Sequence, residues 1–250
     1  MNDKIKATHK NNSNKKLNKK RKFRLMFSLL CLFLTIVGIN LAEGDYVSKL
    51  VNGNENKPFI LQTDSEIIKN DWRLILVNHW NTIPDGYKVT LVKLQNGESV
   101  DERIYSDLQE MFDSARSNGI YPMISSGYRT TQTQQDIFND KLNDFEAQDY
   151  STQEAVTMTE KWVAIPGTSE HQIGLAIDVV GEDNHDNAKV QQWLKDNSFK
   201  YGFILRYPSD KTEITGTNFE PWHFRYVGKE NAVKIYKSGL CLEDYLESLQ

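Results

Sequence analysis

Apolar residues are spread very unevenly along this chain. From Leu25 to Ala42 it reads LMFSLLCLFLTIVGINLA, eighteen residues without a charge. A helix of that length rises about 27 Å, close to the hydrocarbon thickness of a bilayer. Beyond residue 71 the apolar positions recur at strand and helix intervals instead. Trp72–Asn78 (WRLILVN) and Lys88–Leu94 (KVTLVKL) read as strands, with the turn residues Pro84, Asp85 and Gly86 between them. Across Asp101–Asn118 the stripe Ile104, Leu108, Met111, Phe112 and Ala115 predicts a helix, closed by Gly119 at the position after its end.

The same reading continues to the C-terminus. Ile120–Ser126 is a predicted strand, and Thr131–Phe145 a helix with Ile137, Phe138, Leu142 and Phe145 on one side. The stretch Ser151-Thr152-Gln153-Glu154 is a capping box that starts a helix reaching about Trp162. Leu175–Val180, Phe203–Tyr207 and Trp222–Val227 are predicted strands, while Val190, Trp193 and Leu194 mark a further helix. Helices at Lys229–Lys237 and Leu242–Leu249 complete the pattern. Helices and strands are interspersed, yet the late strands fall close together. That favours an α+β domain with a small, largely antiparallel sheet flanked by helices over a doubly wound one.

Charge changes the reading of the long apolar run. Residues 1–24 hold ten Lys/Arg against one acid, Asp3, whereas the rest of the chain is net acidic. A basic stretch directly before an apolar run keeps the N-terminus in the cytoplasm and places the residues after the run outside. The run ends Gly38-Ile39-Asn40-Leu41-Ala42, a poor cleavage site, which favours an uncleaved anchor over a cleaved signal peptide. A lipoprotein would want a small residue before Cys31, where Leu30 stands. The expected organisation is a basic cytoplasmic tail (1–24), a transmembrane anchor (25–42), a polar tether (43–71) and one folded domain (72–250). No nucleic-acid partner is expected. The chain's two cysteines, Cys31 and Cys241, offer no disulfide framework within the domain, so a metal site there needs nitrogen and oxygen ligands.

The segment GTSEHQIGLAIDV puts His171 and Asp178 seven residues apart. Seven is odd, so on one straight strand the two side chains would face opposite ways. Both reach one ion only if the chain bends between them, and Gly174 is where it bends most easily. A second segment, EPWHFRYVG, adds His223 and, three residues before it, Glu220. Two imidazoles and one carboxylate leave a tetrahedral Zn²⁺ with an open fourth position, the pattern of catalytic zinc. Asp178 as ligand and Glu220 as general base is the favoured assignment, because an aspartate on a strand is the more rigid ligand; the reverse stays open. Pro221 holds Glu220 extended.

A third segment, SSGYRT, ends a predicted strand and projects Arg129 after a bend at Gly127 and Tyr128. Its guanidinium can fork onto a carboxylate or steady an oxyanion. Gln134, Ser169 and Trp222 lie where they can join it around a ligand. His9, His79 and His185 have no partner motif and read as solvated or structural.

Together, Ser-x-His-x6-Asp, Glu-x-x-His and Ser-Gly-Tyr-Arg resemble the VanY-type zinc D-alanyl-D-alanine carboxypeptidases, a group that includes zinc D,D-dipeptidases and L,D-carboxypeptidases. SSGYRTT, VAIPGTSEHQIGLAIDV, RYPSDKTEITG and EPWHFRYVG carry the likeness, which runs from about Trp72 to Cys241. The resemblance implies one Zn²⁺ per chain on His171, Asp178 and His223, with Glu220 as catalytic base. It implies substrate contacts from Arg129, Gln134 and Ser169, to which the residue pattern adds Tyr128 and Trp222. The implied substrates are peptidoglycan precursor stems ending in D-Ala-D-Ala, and the implied consequence is glycopeptide resistance. An L,D-carboxypeptidase trimming tetrapeptide stems, and a wall-binding module without turnover, are the competing readings.

Overall fold

The computed structural model describes residues 71–250. The expected tail, anchor and most of the tether lie outside these residues. Among the described residues no helix is long and apolar enough to cross a membrane.

Among the described residues two antiparallel sheets form. Strands β1 (Leu91–Lys93) and β2 (Ser99–Asp101) make a hairpin. Strands β3 (Pro122–Ser126), β4 (Ala176–Gly181), β5 (Phe203–Leu205) and β6 (His223–Tyr226) make a four-stranded sheet in the order β3-β4-β6-β5. Seven helices of the described residues accompany them: α1 (Tyr105–Ser117), α2 (Thr131–Glu146), α3 (Thr152–Glu160), α4 (Asn187–Asn197), the single turn α5 (Thr212–Thr215), α6 (Lys229–Ser238) and α7 (Leu242–Ser248). This is the expected α+β architecture with small antiparallel sheets flanked by helices.

Strand alternation divides the larger sheet into an apolar and a polar face. Ile177, Val179, Phe224, Tyr226 and Phe203 join Leu108 and Met111 of α1 and Leu194 of α4 in the main core. The alternate positions Asp178, His223 and Arg225 are buried too, but outside that cluster. A second cluster joins Ile204 to Val227 and to Ala232, Ile235 and Leu242 of the last two helices. The helical stripe read from 104 to 115 is therefore core, and Gly119 takes the left-handed conformation (φ 73°) expected after the helix end. The capping box at Ser151 is present, with Ser151 and Glu154 each bonding the other's backbone.

Three elements differ from the sequence expectation. Trp72–Asn78 is not a strand. Trp72–Leu74 form one 3₁₀ turn capped by the Asp71 carboxylate, and the bridge at Asn78 reaches only Asn81. Instead of a neighbouring strand, Arg225 Nη2 donates to the Arg73 and Ile75 carbonyls (3.1 and 2.8 Å). Asp101, expected to open a helix, closes β2, and its buried carboxylate accepts the Arg103 N–H at the start of the 3₁₀ turn Glu102–Ile104. The segment before β4, for which only a bend was expected, is a 3₁₀ turn at Glu170–Ile173.

Candidate active site

The bend between His171 and Asp178 falls at Gly174, whose φ of 72° closes the 3₁₀ turn in the left-handed region. A side chain there is doubly disfavoured, since a Cβ would lie 3.1 Å from the Asp101 backbone nitrogen. The chain then enters β4 and delivers Asp178 to the polar face. Asp178 and His223 are direct partners in the antiparallel pairing of β4 and β6. Their side chains share one face, a proximity that sequence spacing does not reveal.

Each candidate ligand has one atom committed to the protein and another left over. His171 Nδ1 lies 2.7 Å from the Gly127 carbonyl, which only accepts, so Nδ1 carries the proton and Nε2 keeps its lone pair. Gly127 permits this because a Cβ there would run into the Ser99 carbonyl. His223 Nε2 faces Glu170 Oε2 at 3.4 Å, which leaves Nδ1 turned toward Asp178 and Glu220. Asp178 Oδ2 accepts from Arg129 Nη2 at 2.7 Å. Asp178 Oδ1 is buried, 3.2 Å from His223 Nδ1 without hydrogen-bond geometry, and has no other partner.

One ligand atom from each of the three residues lies within 4.8 Å of the others. A buried carboxylate oxygen without a donor is costly unless a cation completes it. Two imidazole nitrogens and a carboxylate oxygen fit a divalent metal of the zinc type, and each histidine has the second hydrogen bond that orients a metal ligand.

The carboxylates and imidazoles also hold different charge states. Burial works against the Asp178 charge, but the two imidazoles outweigh it and keep the carboxyl well below the usual carboxylate range. Burial pushes the His171 pKa down. At His223 burial is outweighed by the Asp178 and Glu170 carboxylates, and the pKa is raised to about 9. Glu220 is the reverse case. Burial pushes its carboxyl up to about 7, against the pull of His223, whose Nδ1 lies 3.6 Å from Oε2. A carboxyl poised near neutrality can take up a proton and give it back.

These groups open into a cavity of about 440 Å³. Arg129, Gln134, Ser169, Glu220 and Trp222 all line it, as the sequence reading expected. Arg129 is more committed than expected. Nε donates to Ser126 Oγ (2.8 Å) and Nη2 to Asp178, so only Nη1, with a 3.4 Å bond to Gln134, is lightly held. Gln134 is fixed in turn by donating to the Ala164 carbonyl at 2.7 Å. Tyr128 is the exception. It is not among the residues lining the cavity, and its backbone N–H donates to the Ser99 carbonyl, so its contribution lies in the bend that aims Arg129. His79 and His185 stay away from the site, against Trp80 and Tyr121 respectively.

Two contributors were not picked out from the sequence. Tyr207 lines the cavity with its ring 4.8 Å from that of His223, and burial raises its pKa so that it stays a neutral phenol. Glu170 is fully buried behind His223. The sequence carried no distinctive signal for either: Glu170 is an acid beside a histidine, and Tyr207 the tyrosine of RYPSD.

Known proteins resemble this chain in sequence and in fold. The family model described as VanY: D-alanyl-D-alanine carboxypeptidase matches residues 97–229. A D-alanyl-D-alanine carboxypeptidase of Enterococcus faecalis is 52% identical over 181 residues, covering 72% of this chain and 68% of that protein. Among solved structures, VanYB in complex with D-alanine-D-alanine is 52% identical with a TM-score of 0.71, covering 72% of this chain and 100% of that one. A VanY variant from the VanB-type resistance cassette, in complex with Zn(II), is 54% identical with a TM-score of 0.69, covering 70% of this chain and 99% of that one. The LdcB LD-carboxypeptidase is more distant, at 32% identity and a TM-score of 0.60 over 79% of this chain and 94% of that one. The chain belongs to the VanY family.

Proposed function

We propose that this protein is a zinc-dependent D,D-carboxypeptidase that removes the terminal D-alanine from peptidoglycan precursor stems ending in D-Ala-D-Ala. One observation carries the reading: a buried carboxyl held near neutrality, Glu220, stands 3.6 Å from the ligand nitrogen of His223 beside the His171–Asp178–His223 site. Binding alone would need no such group; hydrolysis does.

Zinc bound by His171, Asp178 and His223 supplies Lewis-acid polarisation of the scissile carbonyl and acidifies water. The protein supplies the rest. Glu220 takes the proton of the attacking water and returns it to the leaving amine of D-alanine, a shuttle suited to a carboxyl with a pKa of about 7. Arg129 holds Asp178 in place through Nη2 and offers Nη1 to a substrate oxygen. Gln134 and Ser169 add polar contacts in the wall, and Trp222 an apolar surface. The relatives that bind D-alanine-D-alanine and belong to a resistance cassette support a role in glycopeptide resistance, since loss of the terminal residue destroys the antibiotic's target.

We further propose that the apolar run 25–42 anchors the enzyme with its catalytic domain outside the cell, where a tether would concentrate it near lipid-linked substrates.

The test is D-alanine release from purified protein with pentapeptide and tetrapeptide stems, with and without a chelator. Release from the pentapeptide alone, abolished by chelation and restored by zinc, is expected. Cleavage confined to the tetrapeptide would make it an L,D-carboxypeptidase, and cleavage of neither would leave a wall-binding module.

A further inference from the structure

We propose that Glu170, held by two buried arginines, is a positioning residue that fixes His223 for metal binding. The Glu170 side chain is completely buried, and its two oxygens do different jobs. Oε1 accepts from Arg206 Nε at 2.7 Å and from Arg225 Nη1 at 2.8 Å. Oε2 is thereby left facing His223 Nε2 at 3.4 Å. A carboxylate at that nitrogen selects the imidazole form with the proton on Nε2, the form whose Nδ1 can bind a metal.

The arginines make the arrangement sturdy. Both are fully buried, and Arg225 is also tied to the Arg73 and Ile75 carbonyls. Arg206 is tied to Glu243 of α7 through Nη1 and Nη2, at 2.9 and 2.6 Å. Glu170, Arg206, Arg225 and Glu243 sum to no net charge, so the group is balanced without drawing on the metal site. Arg225 lies two residues from His223 on the same strand face, and Glu170 precedes His171 in the same turn. One carboxylate thus links the segments that carry two of the three ligands.

Glu170→Gln keeps the shape and removes the discrimination. With its amide oxygen toward the arginines, the –NH₂ faces His223 Nε2 and favours the opposite tautomer, with the proton on Nδ1. This inference rests on the metal site described above and not on which stem is cleaved, so its readout is zinc affinity. In competition with a chromogenic chelator, Glu170→Gln is expected to bind zinc about 10- to 100-fold more weakly than the parent protein. Glu243→Gln removes another carboxylate from the same cluster without touching His223, and is expected to melt earlier while binding zinc within about twofold of the parent. If Glu170→Gln alone does not fold, Glu170→Gln with Arg206→Gln removes one charge of each sign and is expected to show the same weakening. Folded Glu170 variants with parental zinc affinity would overturn the proposal, as would an equal loss in Glu243→Gln. Failure to release D-alanine from any stem, with zinc affinity behaving as stated, would count against the proposed activity and leave this inference standing.

Discussion

Two buried charged clusters meet at the His223 imidazole and are built on opposite rules. Behind the ring, Glu170, Arg206, Arg225 and Glu243 satisfy one another at 2.6–2.9 Å. In front of it, Asp178 Oδ1 has no hydrogen bond, and His171 Nε2 and His223 Nδ1 both turn toward the Asp178 carboxylate, at 3.4 and 3.2 Å. The first cluster is complete within the protein; the second is complete only with a cation. Burial alone therefore does not mark a functional charge. A polar group buried with its bonding deliberately unfinished does.

The sharpest way to break this contrast is to remove a ligand from the open cluster. His171→Ala leaves two protein donors, and we expect zinc to be lost from the purified protein and D-alanine release to fall to background, checked by metal analysis and product assay. Glu220→Gln touches the same cavity without removing a ligand. It should keep its zinc while losing about 10²- to 10⁴-fold in rate, as expected for a general acid–base group. Parental turnover in that variant would remove the base assigned here.

Proton–metal competition comes next in size. His223 binds a metal only as the neutral ring, and its pKa in the metal-free protein is raised from 6.5 to about 9. Zinc must then displace that proton at neutral pH, so apparent affinity should climb about tenfold per pH unit and level off near 9. Stability of the metal-free protein runs the opposite way. The contribution of protonated His223 is present below 6.5 and lost as pH rises through about 9, in metal-free protein alone. Chelator competition and denaturant titration between these limits check both.

The smallest expected effect belongs to the closed cluster. Glu243→Gln weakens two bonds to Arg206 and should cost roughly 1–3 kcal/mol in unfolding experiments, with D-alanine release by the folded enzyme unchanged. A loss of turnover matching the loss of stability would erase the distinction between the clusters.

Much of the site was legible because its chemistry is local in sequence. His171, Gly174 and Asp178 sit in one segment, and the odd spacing together with the glycine called for a bend that the structure contains. Trp72–Asn78 departs from its strand-like alternation because the partner that answers its carbonyls is an arginine side chain about 150 residues away. Glu170 gave no signal for a related reason. An acid beside a histidine is commonplace; two arginines aimed at it, from β6 and the end of β5, are not.

The amino-acid sequence by itself determined the donor types, the apolar stripes and the turns, since each depends on neighbours a few bonds away. Only the tertiary structure decided that Asp178 stands opposite His223, that Arg129 is largely spent on Ser126 and Asp178, and that Glu170 faces a ligand. Those facts depend on strand register and on which atoms lose water together, which residues far apart in the chain settle only by packing.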